Sequence, residues 1–71
     1  MITLNYGVNE ITTNSFDGKS VSNAAKFASE FLGAPNDAVI KVNGEEVFDK
    51  SLILDDGDTV EFVKVSGEKG I

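Results

Sequence analysis

Apolar and polar residues alternate along Ile2-Thr3-Leu4-Asn5-Tyr6-Gly7-Val8, the period of two shown by a β-strand with one buried face. Asn9-Glu10 then reads as a turn. The run Ile11-Thr12-Thr13-Asn14-Ser15-Phe16 is rich in β-branched residues and stops at Asp17-Gly18, so the first 16 residues are expected to form an antiparallel hairpin. From Val21 the period changes. Val21, Ala24, Ala25, Ala28, Phe31 and Leu32 recur at three- and four-residue spacing, and Phe27 widens that stripe, which predicts an amphipathic helix. Ser20 or Ser22 is the expected cap of its first amides, and Gly33 with Pro35 the expected stop.

In the second half, Ala38-Val39-Ile40-Lys41-Val42 reads as a strand and Asn43-Gly44 as a two-residue type I′ turn, where positive φ is required. Glu45-Glu46-Val47-Phe48 returns. Leu52-Ile53-Leu54 fits either a brief strand or a buried irregular crossing, and the acidic turn Asp55-Asp56-Gly57-Asp58 precedes a last strand running from Thr59 to Val65. A lone helix satisfies its apolar stripe only by lying across one face of a sheet, and parallel pairing of the first and last strands buries the terminal strand centrally. The expected fold is therefore α+β of β-grasp type, a mixed sheet of four to five strands with one helix packed across one face. Residues 1–65 would form one domain and residues 66–71 a short polar tail, with 71 residues leaving no room for a second core.

Composition narrows the chemistry. Cysteine and histidine are both absent, which removes disulfides, thiolate metal sites, cysteine nucleophiles, the commonest general base and the commonest transition-metal ligand. No enzyme activity and no cofactor are expected. The acidic turn lacks the further ligands and bidentate glutamate of a calcium loop, so no metal is assigned to it. Six lysines, no arginine and a net charge of −6 disfavour nucleic acid and suit a basic protein surface. The chain has no apolar run of membrane-spanning length and no signal-peptide pattern at Met1-Ile2-Thr3-Leu4-Asn5, so no membrane association, a cytoplasmic location and a monomer are the expectations.

Alternation along the final strand puts Val60 and Phe62 on one face and Glu61, Val63 and Val65 on the other. If the first pair faces the helix, Val63 and Val65, together with Lys64, are the candidate partner surface on the open sheet face, joined by Tyr6, Val8 or another apolar neighbour where register or a bulge reverses a strand. Tyr6 and most of the five phenylalanines, Phe16, Phe27, Phe31, Phe48 and Phe62, are expected in the core.

The stretches Val42-Asn43-Gly44-Glu45-Glu46-Val47 and Leu54-Asp55-Asp56-Gly57-Asp58-Thr59-Val60-Glu61-Phe62 carry a resemblance. Their pairing of a "VNGE-V" turn with an "L-DGD-VE" turn resembles the bacterial ubiquitin-like sulfur carriers of the ThiS and MoaD type, closely in the second half and by element order in the first. The resemblance implies a β-grasp whose C-terminus is activated by an E1-like adenylating enzyme with ATP. Such carriers end in Gly-Gly, because a narrow enzyme channel admits backbone without Cβ atoms. Here the tail reads Ser66-Gly67-Glu68-Lys69-Gly70-Ile71, with Gly67 and Gly70 separated by two charged residues. That ending is similar to the "GTKG" ending of small ubiquitin-like proteins encoded beside E1-like enzymes and JAB-type peptidases.

The leading functional expectation is a non-enzymatic ubiquitin-like module that binds a protein partner through its open sheet face. Its alternatives are a modifier or sulfur carrier activated at Gly70 after removal of Ile71, with Gly67, Gly70 and Ile71 as the conjugation candidates, and a small accessory or structural subunit of a larger assembly.

Overall fold

A computed structural model describes residues 1–64. Strand β1, Ile2–Tyr6, pairs antiparallel with β2, Asn9–Thr13, from Ile2 opposite Thr13 to Tyr6 opposite Asn9. The turn is therefore Gly7-Val8, two residues earlier than the expected Asn9-Glu10. Gly7 has φ +60° while Val8 stays at negative φ, the pattern of a type II′ hairpin with glycine first. Val8 is 99% exposed on that turn, so it ends the alternation instead of extending it. β2 also stops before Phe16, which reaches the core from a run of turns and sets its ring edge-on to Phe27 at 5.2 Å.

Helix α1 spans Val21–Phe31 and buries Val21, Ala24 and Ala28, with Leu32 buried just beyond its end. The two alanines let the helix backbone sit close to the sheet. Gly33, at φ +77°, turns the chain back so that the Ala34 N–H reaches the Ala28 carbonyl at 3.1 Å, as expected of a glycine stop. Ser20 is the N-cap residue, but its hydroxyl makes no capping bond. The first two helical amides instead donate to a distant segment, Val21 N–H to the Leu52 carbonyl at 2.8 Å and Ser22 N–H to the Lys50 carbonyl at 2.9 Å. This resolves the character of Leu52-Ile53-Leu54. The segment is an irregular crossing, joined to Ser20 by one isolated bridge at Ile53, and Leu54 is its fully buried anchor while Leu52 and Ile53 stay exposed.

Strands β3, Val39–Val42, and β4, Glu45–Val47, form the second hairpin about Asn43-Gly44, whose φ values of 53° and 88° match the type I′ turn read from the sequence. Strand β5, Thr59–Val63, runs parallel to β1 and antiparallel to β3. The class is α+β, with a single helix among the described residues and a five-stranded mixed sheet in the order β2-β1-β5-β3-β4. One apolar cluster lies between sheet and helix, and Ile2, Leu4, Val21, Leu54 and Val60 are its fully buried members. No helix among the described residues is long and apolar enough to cross a membrane.

Two phenylalanines depart from the expected core. Phe31 is 67% exposed on the flank of the buried stripe, covered on one side by the Phe27 ring at 4.7 Å. Phe48 is 84% exposed past the end of β4. Phe16 and Phe62 are buried, and Phe27 is half-buried.

Candidate functional site

The open face of the sheet is organised in rows set by strand register. Thr12, Thr3 and Thr59 form one row, and Glu10, Asn5, Glu61, Lys41 and Glu46 form the next. Both rows are polar. The third row holds Val63 opposite Val39, both half-buried. The tight Asn43-Gly44 turn fixes β4 against β3 as far as Val47 opposite Ile40, and Phe48 follows just past the end of β4. Val39 and Phe48 line one depression of ≈ 260 Å³ together with Val47 and Lys50. The apolar part of this face is therefore the pair Val63 and Val39 at one end of an otherwise polar surface, with Phe48 beside Val39.

That end is also where β5 finishes. Because β1 and β5 are parallel, the end of β5 lies beside the Gly7-Val8 turn. Tyr6, Val8, Glu61, Val63 and Lys64 share a groove of ≈ 490 Å³ there. Lys64 is exposed at the last described position, and Val65, Gly67, Gly70 and Ile71, candidates from the sequence, lie outside the described residues. Tyr6 belongs to the helix-side face and packs against the core, so it is not part of the open-face row. Val8 stands at the hairpin tip, within reach of the groove but off the sheet. Val39 and Phe48 are not among the site residues expected from the sequence, yet the two-residue turn carries a signal: once Val42 pairs with Glu45, the hairpin returns Val47 opposite Ile40 and leaves Phe48 next to Val39.

At the opposite end of β5, the two motif turns are bonded to each other. Asn43 donates through Nδ2 to Asp58 Oδ1 at 2.9 Å, and its Oδ1 accepts the Thr59 N–H at 3.0 Å. The other carboxylate oxygen of Asp58 accepts the Asp55 N–H at 2.9 Å. The Asp55 amide first, and then the Asn43 amide, hold the Asp58 carboxyl below its ordinary range. Asp56 points elsewhere and pairs with the Met1 amino group, whose pKa is raised chiefly by that bond, while Asp17 approaches the same amine at 3.4 Å. Asp56 and Asp58 thus spend their carboxylates on separate partners. Among the described residues no three acidic side chains gather as a metal site would need.

No family model, curated protein or solved structure matches the chain.

Proposed function

We propose that the chain is a β-grasp domain of ubiquitin-like type that acts without catalysis, by docking a protein partner on the open-face pair Val63 and Val39 and the neighbouring Phe48, with Lys64 at the margin. The observation that carries this is the exposure of Phe48, an aromatic ring left 84% in solvent beside the half-buried Val39, which pairs with Val63 on a face that is otherwise threonine, asparagine, lysine and glutamate. An apolar strip rimmed by polar residues is what a contact site looks like, and aromatic side chains contribute disproportionately to such contacts. The sheet order β2-β1-β5-β3-β4 with a helix between the hairpins supports the β-grasp assignment. The bond between the "VNGE" and "DGD" turns supports the ubiquitin-like one, since it makes the two motifs a single structural unit.

The second reading, a modifier or sulfur carrier activated at Gly70 by an E1-like enzyme, is favoured by the position of β5, whose end lies beside an open groove lined by Val63 and Lys64. The two readings separate cleanly in one experiment. Tagged protein expressed in its natural source is recovered as wild type, as Val63→Glu and as a chain lacking residues 68–71, and the bound protein is quantified. Docking on the face predicts loss with Val63→Glu and retention without the tail. The reverse pattern sinks the docking reading and leaves the carrier one.

A further inference from the structure

The two edges of the sheet are not equivalent. The two-residue turn makes Tyr6–Asn9 the closing hydrogen-bonded pair of the first hairpin, so Leu4–Ile11 and Ile2–Thr13 also exchange bonds, while Asn5–Glu10 and Thr3–Thr12 do not. The Thr3 N–H confirms this phase, since it points away from β2 and donates to the Asp58 carbonyl at 3.1 Å. The backbone N–H and C=O groups of Glu10 and Thr12 therefore face outward, and they have no backbone partner among the described residues. By the same alternation, the other edge strand, β4, turns outward only the groups of Glu46, in three residues of which two are glutamates. A short, charged strand is a protected edge. β2 is longer, unbulged and free of lysine and proline, with Glu10 its one charged residue, so it is the less protected edge.

We propose that β2 is a strand-addition site for a second copy of this chain, joined about a two-fold axis at Ile11. In that arrangement Glu10 of each copy lies opposite Thr12 of the other, and the outward groups of all four residues exchange hydrogen bonds across two pairs. The Ile11 side chains, half-buried on the helix side, meet at the axis. Charge selects this register over its neighbours. Centring on Glu10 sets two glutamates face to face, and centring on Thr12 leaves Glu10 opposite Asn14, beyond the end of β2, with a single bonded pair inside the strands. Only the Ile11-centred register uses every free group and opposes no like charges, so the edge is complementary to itself. This surface is separate from the Val63 row, and its test does not depend on that row.

The test is sedimentation of the full chain across concentrations up to about 1 mM, where association of only a few kcal/mol is visible. Wild type should form a dimer. Thr12→Glu places Glu10 opposite a new glutamate twice and should weaken that dimer about tenfold. Adding Glu10→Lys to that variant restores opposite charges at both pairs and should recover the wild-type dimer. Retained cooperative unfolding shows that each variant is folded. A wild type that stays monomeric at the top concentration overturns the proposal, as does a dimer that Thr12→Glu leaves intact or that the double variant fails to restore.

Discussion

Asn43 and Asp58, 15 residues apart, are joined side chain to side chain at 2.9 Å, and through that bond the β3–β4 turn and the acidic turn before β5 hold one another. Asn43 does two jobs. Its backbone occupies the left-handed region at φ 53°, which asparagine tolerates better than most residues, and its amide bridges Asp58 and the Thr59 N–H. Glycine at 43 keeps the first and removes the second. Asn43→Gly should therefore cost about 1–3 kcal/mol, the range for orphaned partners of a charge-assisted bond, reduced toward the lower end by partial exposure. Urea unfolding checks this, and a double-mutant cycle with Asp58→Ala should show coupling of about 0.5–1.5 kcal/mol.

Asp58 gives the acid limb of stability its direction. Its folded pKa lies below the ordinary 3.8, so the contribution is present above that value and is lost as pH falls through the lower folded value. Asp49, lowered by the Ser51 hydroxyl and then by its amide, acts in the same sense. Asp58→Asn should flatten the loss of stability below about pH 4 in thermal unfolding followed against pH. At the alkaline end the sign is opposite. The Met1 amine, raised above 8.0, contributes below that value and loses the contribution as pH rises through its folded value.

The start of the helix is held by backbone from residues 50–54, not by the Ser20 hydroxyl. Ser20→Ala should cost no more than about 0.5 kcal/mol, well short of the usual cap penalty. Leu54→Ala, by contrast, empties a fully buried site and should cost about 2–5 kcal/mol. Hydrogen exchange should show the Val21 and Ser22 amides opening together with the 50–54 segment. Protection of those amides that survives Leu54→Ala unchanged would count against the coupling.

Phe48 should matter for contact and not for folding. With its ring 84% exposed, Phe48→Ser should change stability by no more than about 0.5 kcal/mol in urea unfolding. The same substitution should lower partner recovery by about tenfold or more, as truncation of an aromatic hot spot does.

Local chemistry was legible in the sequence, and nonlocal satisfaction was not. Asn43-Gly44 announces its own turn because both residues suit positive φ. The first turn was displaced because Val8 continues the apolar alternation past Gly7, and only pairing with β2 shows that the strand has ended at Tyr6. Ser20 looked like a hydroxyl cap because nothing in the local pattern reveals that carbonyls 30 residues away reach the same amides. The helix stripe was right at Val21, Ala24, Ala28 and Leu32 but too wide at Phe31, since spacing alone does not tell the flank of a stripe from its centre. Of the candidate site, the alternation that puts Val63 on the face away from buried Phe62 was legible, whereas its partner Val39 comes only from strand register and the nearness of Phe48 only from the folded chain.

The most direct test of docking on the open face is photo-crosslinking in the natural source, with a photoreactive amino acid placed at Phe48 in the full chain and in a chain lacking residues 68–71. Docking on the open face should give one dominant adduct from Phe48 in both chains, lost on Val63→Glu. An adduct that disappears with the tail, or none from Phe48 while the Gly70 carboxylate is found joined to another protein, would contradict it.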